Sequence, residues 1–311
     1  MIKKKIFGDT LKEQLHASAN DRLYKLLLRH ANVRGTMIKA TKMINEMRSN
    51  HDLGIIETLV LGHAYIACGL LSADLKGSER FGIHIECSGP IKGLNVESNA
   101  YNEVRGYLKN VPIPLDKPLN NLNLSPFFGA GFLTVTRNIE DSKTPFSGTV
   151  ILKYGNIAED MVYYYSTSEQ IPTSFVLSIH FDSNGNVTGA GGLFLQALPG
   201  ADEKILLSLE EKVKNFPSIG AAFSTGITPV EIMEKEFKDY SPEILENTRV
   251  EFMCHCQKER MLQYLTALPE KDITDIIENG PFPVEIRCHN CNSLYHFEKN
   301  DIEEIYRKKV H

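Results

Sequence analysis

The sequence lacks a recognisable targeting segment. Its first residues, MIKKKIFGDTLKEQ, include basic side chains, but no apolar stretch or small-residue cleavage site follows them. A secretory signal needs an apolar stretch of about 7 to 15 residues before such a site. We therefore expect neither a secretory signal nor a transit peptide, and we predict a cytoplasmic protein.

Long uncharged hydrophobic runs are also missing. The most apolar run, residues 55–71, contains Glu57 and His63 and places its apolar residues at helical spacing. This pattern favours a buried helix over a membrane span. Since 42% of the 311 residues are hydrophobic, we expect the chain to fold, and its length suits two or three domains.

An excess of positive charge is absent. Residues 201–311 hold 14 Lys and Arg against 21 Asp and Glu, a net charge of −7, and residues 1–200 hold 20 against 18, a net charge of +2. Proteins that bind nucleic acids use basic surfaces to neutralise phosphates. The acidic C-terminal third therefore counts against nucleic acid as a partner.

Catalytic residue patterns are equally scarce. No Ser/His/Asp arrangement or carboxylate pair stands out, so we predict no enzymatic activity. The run Gly189-Ala-Gly191-Gly192-Leu-Phe194 superficially resembles a dinucleotide-binding loop. It fails that pattern because Phe194 occupies the third glycine position and a strand-like segment follows.

Cysteine is infrequent, with six residues, but four of them lie in the last fifth of the chain. Cys254 and Cys256 form one close pair, and Cys288 and Cys291 form a second pair after residues 257–287. Two such pairs can place four sulfurs tetrahedrally around one Zn²⁺ at about 2.3 Å. In a reducing cytoplasm, thiol pairs hold metal or perform redox chemistry more often than they form permanent bridges. We predict one zinc ion on these four cysteines, and the spacing leaves open whether the metal is only structural or also a sensor.

The other cysteines and the histidines beside the ligands have simpler interpretations. Cys68 on the apolar helix and Cys87 at the end of a strand are expected to be small buried hydrophobic residues. His255 and His289 lie next to the ligands, but four thiolates already complete a tetrahedron. We therefore expect both histidines in exposed loops.

Residues 1–200 are predicted to form an α+β core domain, a mostly antiparallel sheet packed with helices. We expect two helices within residues 20–49, joined at Val33-Arg34-Gly35, and a long buried helix over residues 53–75. Asn156 and Glu159 have the spacing of a capping box that starts a further helix. Strands are predicted over residues 81–87, 91–96, 131–136, 148–153, 174–181 and 192–197, the first two as a hairpin.

Residues 201–249 are predicted to be an amphipathic helical linker without strands. An apolar stripe at helical spacing marks its first helix: Ile205, Leu206, Leu209, Val213 and Phe216. Thr228-Pro229-Val230-Glu231 is a capping box with proline at the first helical position, and Ser241-Pro242 predicts a further short helical turn. Helices this short are marginal alone, so the linker must pack on a neighbour.

Residues 250–311 are predicted to be a small zinc-binding domain with two helices, a strand that leads into Cys288, and a last helix capped at Asn300. A unit of about 60 residues buries too little apolar surface to be stable without help. Structural zinc contributes an apparent ~10 to 16 kcal/mol in small peptides. Removing the metal is therefore expected to unfold this domain.

The cysteine pattern resembles that of the redox-regulated bacterial holdase chaperones, the 33 kDa heat-shock proteins. The likeness includes Ser168-Glu-Gln-Ile-Pro172-Thr, Ala190-Gly-Gly-Leu-Phe-Leu-Gln-Ala-Leu-Pro199 and the early Val33-Arg-Gly35. These segments occur in the order expected for that family. The resemblance therefore spans nearly the whole chain.

The resemblance implies a specific switch. The reduced family members hold zinc on four cysteines and are inactive, while oxidation expels zinc and unfolds the zinc domain and linker. The oxidised protein, usually a homodimer, then binds unfolding client proteins without ATP and prevents their aggregation. Carried over to this chain, the metal ligands and redox residues are Cys254, Cys256, Cys288 and Cys291, with implied bridges Cys254–Cys256 and Cys288–Cys291.

Two other classes remain open from the residues themselves. The first is a constitutive zinc-stabilised module that binds protein or nucleic acid and gains nothing on oxidation. The second is a thiol-disulfide oxidoreductase, although its Cys-x-x-Cys usually opens a helix, whereas Cys288 follows a predicted strand. A disulfide within either cysteine pair would close only a short loop and so add little stability. Loss of the metal would remove the folding free energy that metal binding supplies. Physical reasoning therefore agrees with the resemblance that oxidation would remove more stability than it returns.

Overall fold

The computed structural model describes residues 1–4, 21–114, 123–265 and 267–310, with side chains described as far as Arg307. The strands described are β1 (Arg22–Leu28), β2 (Val33–Lys39), β3 (Arg80–Cys87), β4 (Gly93–Asn99), β5 (Glu103–Leu108), β6 (Gly131–Asn138), β7 (Phe146–Ile151), β8 (Thr173–Phe181), β9 (Val187–Ala197), β10 (Pro242–Arg249), β11 (Glu251–Phe252), β12 (Val284–Arg287) and β13 (Leu294–Phe297). The α-helices described are α1 (Thr41–His51), α2 (Ile55–Ser72), α3 (Ser125–Phe128), α4 (Ile157–Tyr164), α5 (Glu203–Lys214), α6 (Ile219–Ser224), α7 (Pro229–Glu236), α8 (Lys258–Leu265), α9 (Glu270–Asn279) and α10 (Lys299–Val310). The predicted α+β class is confirmed.

Two sheets form the body of the molecule. Sheet I has the strand order β10-β1-β2-β9-β8, and sheet II has the order β11-β5-β4-β3-β6-β7. Neighbouring strands are antiparallel throughout, except that β11 runs parallel to β5. The predicted hairpin is β3 and β4, while β5 was not predicted.

Helix α2 lies between the two sheets. Ile66 packs against Gly192 of β9 in sheet I, while the neighbouring Tyr65 hydroxyl donates to the Gly106 carbonyl of β5 in sheet II at 2.8 Å, so the helix contacts both sheets. Among the described residues α2 is the one helix long and apolar enough to cross a membrane, and 83% of it is buried inside the fold. The predicted buried helix over residues 53–75 is confirmed.

The prediction of two helices within residues 20–49 is wrong for its first half, where β1 and β2 form a strand pair. Leu23 packs into the core between the sheets, whereas Leu26 and Leu28 pack on the opposite face. A strand buried on both faces does not alternate apolar with polar residues, so its pattern is easily mistaken for a helix. Gly35 lies inside β2 rather than in a connection. Glycine suits this position because an added Cβ would meet Leu195 of the neighbouring strand β9 at 2.6 Å.

The linker was predicted to contain no strand, but residues 242–249 form β10 on the edge of sheet I beside β1. Ser241 adopts a left-handed φ of 52° and turns the chain, and Pro242 begins the strand instead of a helical turn. Proline is tolerated at the first residue of an edge strand because its missing N–H is not needed there. The predicted division at residues 200 and 249 stays a prediction.

Helix starts follow the predicted chemistry with two changes. The Asn156 side chain accepts bonds from the N–H groups of Ala158 and Glu159, but the carboxylate that returns a bond to the Asn156 N–H is Asp160, not Glu159. The capping box at Thr228 and Glu231 is confirmed. Helix α10 begins at Lys299, so Asn300 is not its cap.

Helices α5 to α7, called here the linker helices, cover one face of sheet I. They share an apolar cluster with β1, β2 and β9. The fully buried members are Leu26, Leu28, Ala31, Val33, Met37, Leu193, Leu195, Leu209, Ile219, Phe223, Ile232, Met233 and Phe237. The linker helices therefore lie on an apolar surface that water would otherwise reach.

Candidate metal centre

Two chain turns carry the four clustered cysteines. Cys254 and Cys256 follow β11, and Cys288 and Cys291 lie in the turn between β12 and β13. Within that turn the Cys288 N–H donates to the Ser293 carbonyl at 2.9 Å, and the Asn292 N–H donates to the Cys288 carbonyl at 2.7 Å. These bonds fold the chain back so that two thiols three residues apart face the same point.

The four sulfurs meet in a compact cluster. All Sγ atoms lie within 4.8 Å of one another. Cys254 Sγ is 3.8 Å from Cys288 Sγ, and Cys256 Sγ is 3.3 Å from Cys291 Sγ. A tetrahedron with Zn–S distances of about 2.3 Å has sulfur–sulfur edges of about 3.8 Å. The four buried thiols thus have the type, number and spacing needed to hold one metal ion, and they fit zinc.

The thiols differ in how tightly they hold their protons. Contact with the Cys256 thiol raises the pKa of Cys254, but hydrogen bonds with Cys288 and Cys291 lower it to a net value of about 6. Hydrogen bonds with the other three thiols also lower the pKa of Cys256. The pKa values of Cys288 and Cys291 are raised, chiefly by hydrogen bonds with Cys254 and Cys256. Metal binds the thiolate form, so a bound cation would favour the deprotonated state of all four sulfurs.

Three further side chains contact the ligand sulfurs. The Tyr295 hydroxyl lies 3.1 Å from Cys256 Sγ, and the Ser293 hydroxyl lies 3.2 Å from Cys291 Sγ. From the core, the Arg105 guanidinium donates to Cys254 Sγ at 3.6 Å. Donors around a metal-bound thiolate orient it and reduce its charge density.

The first residues of the chain connect the metal lobe (residues 250–310) to the core. The Met1 nitrogen donates to the Cys256 carbonyl at 2.7 Å. The Ile2 N–H donates to Ser293 Oγ at 2.8 Å, and that hydroxyl lies 3.1 Å from the Ile2 carbonyl. The N-terminal residues thus pack directly against the turns that carry the cysteines.

Asn50, at the end of α1, hydrogen-bonds both the N-terminal residues and the turn that carries Cys291. Its side chain accepts the Lys4 N–H at 2.9 Å and donates to the carbonyls of Ile2 at 3.0 Å and Cys291 at 2.8 Å. Its own carbonyl accepts a bond from the Asn292 side chain at 2.8 Å. Asn50 is 2% exposed, so losing these bonds would leave buried polar groups unpaired.

The remaining residues considered from the sequence lie outside the cluster. Burial raises the pKa of Cys68 to about 12, and its sulfur lies 3.4 Å from Ser98 Oγ in the core. Cys87, at the end of β3, also has its pKa raised by burial. The exposed His255 pairs with Glu103 at 2.7 Å, and His289 packs on the Tyr107 ring. Both histidines are exposed, as predicted.

The sequence reasoning missed Arg105, Asn50 and Tyr295. Tyr295 follows Cys291 by four residues, so its closeness in the chain is the one available signal. Arg105 and Asn50 precede Cys254, the first cysteine of the cluster, by about 150 and 200 residues. Only the packing of the lobe on β5 and α1 brings Arg105 to the Cys254 sulfur and Asn50 to the Cys291 carbonyl.

The fold and the site together define an α+β protein whose C-terminal lobe carries a buried four-cysteine centre able to hold a metal ion. The family model described as Hsp33 protein matches residues 21–298. This chain belongs to the Hsp33 protein family. The family is one of chaperones, which are generally not enzymes.

Individual relatives agree over almost their whole length. The chain is 35% identical over 294 residues to the 33 kDa chaperonin of Ruminiclostridium cellulolyticum, covering 93% of this chain and 99% of the relative. It is 34% identical to the 33 kDa chaperonin of Desulforamulus reducens, covering 93% and 98%. The crystal structure of the 33 kDa chaperonin (heat shock protein 33 homolog) from Thermotoga maritima superposes with a TM-score of 0.83 at 31% identity, covering 94% of this chain and 99% of that one.

Proposed function

We propose that this protein is a redox-regulated holdase that works in the cytoplasm without ATP. In the reduced state Cys254, Cys256, Cys288 and Cys291 hold one Zn²⁺, and the protein is inactive. In the oxidised state it forms a homodimer and binds unfolding client proteins. The observation that carries the proposal is the buried four-sulfur cluster in a lobe that connects directly to the linker covering sheet I.

Each bridge forms when two thiolates give up two electrons in total and join through a sulfur–sulfur bond. Hydrogen peroxide takes those two electrons and two protons to give two water molecules. Two bridges consume all four ligands, so the site loses its affinity for the metal. The proposed pairs are Cys254–Cys256 and Cys288–Cys291, which close very short loops and return little stability.

The lobe has little else to hold it together. Apart from the cysteines, seven apolar side chains are fully buried among the described residues of the lobe: Val250, Phe252, Met261, Ile273, Tyr295, Phe297 and Ile302. A structural zinc site supplies folding free energy that so small a core does not replace. Loss of the metal is therefore expected to unfold the lobe and to free the end of the linker.

Of the linker helices, α5 is the most weakly held on sheet I. Helix α5 has twelve residues, of which only Leu209 is fully buried. A groove of about 750 Å³ opens between α5, α4 and β8. Short amphipathic helices that bury so little are the first segments to detach when a neighbour unfolds. Their release would expose the apolar face of sheet I to client proteins.

One experiment tests the switch. Reduced and peroxide-treated protein are compared for zinc release with a colorimetric indicator and for light scattering by a thermally unfolding client, with no nucleotide present. Zinc release together with protection by the oxidised form alone is expected. A Cys68→Ser/Cys87→Ser double variant should behave like the wild type. Equal protection by both redox forms would instead indicate a constitutive binding module.

Disulfide mapping adds a second criterion. The close contacts of Cys254 with Cys288 and of Cys256 with Cys291 join residues 34 and 35 positions apart. Disulfides between those partners would close long loops and would stabilise the folded lobe. Mass spectrometry of the oxidised protein should find the local pairs, and finding the long-range pairs would refute the unfolding of the lobe.

A further inference from the structure

Arg105 joins the core to the sulfur cluster through charge. It lies on β5, and its Nη1 donates to Cys254 Sγ at 3.6 Å. Its other nitrogens bind the Glu97 carboxylate on β4. The Arg105 side chain is 24% exposed, and Glu97 also pairs with Arg80 at 3.5 Å. The guanidinium is thus held in place by Glu97 and directed at the metal lobe.

The cluster changes its charge in the proposed switch. Four thiolates around one divalent cation carry a net charge of −2. Two disulfides without metal carry none. A half-buried cation that contacts the cluster is therefore attracted strongly in the reduced state and hardly at all in the oxidised state. The contact weakens when oxidation occurs, without any movement of Arg105.

Other contacts between the lobe and the core are not affected by this change in the charge of the sulfur cluster. The Gly106 N–H donates to the Asn290 carbonyl at 3.2 Å, and Asn50 binds the Cys291 carbonyl. The His255–Glu103 pair lies at the protein surface. These groups keep the same charge whatever the sulfurs do. Among the described contacts, the one between Arg105 and Cys254 is where a charged core side chain meets a ligand sulfur.

We propose that Arg105 is a positioning residue of the redox site, holding the metal lobe on the core only while the sulfurs are thiolates. This role deepens the proposed function and rests on it. Oxidation then weakens docking in two ways at once, through loss of the metal and through loss of the charge that Arg105 binds. The residue sets how much oxidant is needed before the lobe separates from the core.

The test compares three variants in the full chain. Arg105→Gln removes the charge, Arg105→Lys keeps it, and Arg80→Gln is the matched control because Arg80 pairs with the same Glu97 carboxylate. The readouts are the rate of zinc release in hydrogen peroxide and hydrogen exchange of residues 251–256. Arg105→Gln should release zinc about tenfold faster, as expected from losing one charge-assisted hydrogen bond. Residues 251–256 should also exchange faster in its reduced form.

The controls decide between charge and structure. Arg105→Lys should recover most of the wild-type rate, Arg80→Gln should resemble the wild type, and the oxidised forms of all four proteins should exchange alike. If Arg80→Gln matches Arg105→Gln, or if the difference persists after oxidation, Arg105 acts only through packing and the proposal is overturned. Unchanged zinc release in Arg105→Gln overturns it as well.

A failure of the proposed function would look different. Wild-type protein that releases zinc without protecting a client would refute the holdase and still leave the Arg105 comparison readable. Wild-type protein that never holds zinc would refute the proposed function before any variant is made.

Discussion

A substitution at Phe237 should detach the linker helices from sheet I without changing the cysteine cluster. It follows α7, is 0% exposed, and stacks on Phe216 with ring centroids 5.6 Å apart. It belongs to the apolar cluster that α5 to α7 share with sheet I, where it joins Met37 and Leu193. Phe237→Ala removes the ring and leaves the cysteines and their contacts unchanged.

The expected effect is large. Truncating a buried phenylalanine to alanine costs about 3 to 5 kcal/mol, because a cavity remains where the ring was. Since about 1.4 kcal/mol corresponds to a factor of ten, the equilibrium for linker detachment should shift by roughly 10² to 10³ or more. Helix α5 buries only Leu209 fully, so a shift of this size should leave the linker helices detached in a substantial fraction of molecules.

The assay uses reduced protein with zinc bound. Phe237→Ala should suppress the aggregation of a thermally unfolding client without oxidant, while its zinc content stays that of the wild type. Hydrogen exchange should show lost protection in residues 203–236 and retained protection in residues 284–297. The Leu207→Ala variant is the matched control, because Leu207 lies on α5 but is 59% exposed.

One result would refute the reasoning. If the linker of Phe237→Ala exchanges freely while the reduced protein still fails to protect clients, then covering sheet I is not what keeps the protein inactive. The binding surface would then have to be sought elsewhere, and α5 to α7 would be ordinary packing elements.

Three other perturbations test separate parts of the structure. Cys291→Ser should abolish tight zinc binding and leave residues 257–310 without hydrogen-exchange protection, and a protected lobe in metal-free protein would contradict the role of the metal. Asp160→Ala removes a buried carboxylate that accepts hydrogen bonds from the N–H groups of Lys153, Tyr154 and Asn156. Chemical denaturation should therefore show a loss of about 3 kcal/mol or more in the free energy of unfolding. Glu159 is exposed, so Glu159→Ala should change this free energy little. Burial raises the pKa of Asp21 from 3.8 to about 7, so this carboxyl group holds its proton more tightly in the folded protein than in the unfolded chain. Its favourable contribution to the free energy of unfolding is therefore complete below about pH 4 and is lost as pH rises towards 7. Relative to Asp21→Asn, the wild type should therefore lose roughly 2 kcal/mol of unfolding free energy between pH 5 and pH 7 in denaturation experiments, and stability curves of the two proteins that stay parallel would exclude this account.

The clustering of the four cysteines was largely predictable from the sequence because its signal is local. Cys254 and Cys256, like Cys288 and Cys291, are close neighbours in the chain, so spacing alone indicated which sulfurs would meet. Helix α2 and the start of α7 were predictable for the same reason, since their apolar spacing and capping residues lie within one element. Such signals do not depend on the rest of the fold.

The errors occur where long-range pairing decides the structure. The leucine-rich segment Arg22–Leu28 becomes a strand because β2 and β10 flank it, and Pro242–Arg249 becomes a strand because β1 offers it an edge. Arg105 reaches Cys254 only after sheet II and the lobe have packed together. No pattern within a short window contains this information, because the pairing partners lie up to 227 residues apart, as Arg22 and Arg249 do.

The pairing of β1 with β10 has a consequence for synthesis on the ribosome. Arg22–Leu28 is among the first segments to emerge, but its partner, Pro242–Arg249, is translated more than 200 residues later. At about 5 to 20 residues per second this delay lasts roughly 10 to 40 s. The nascent chain carries an unpaired strand edge for that interval, and such edges favour aggregation. Translation through Arg249 is therefore the step that allows this edge of the sheet to be paired.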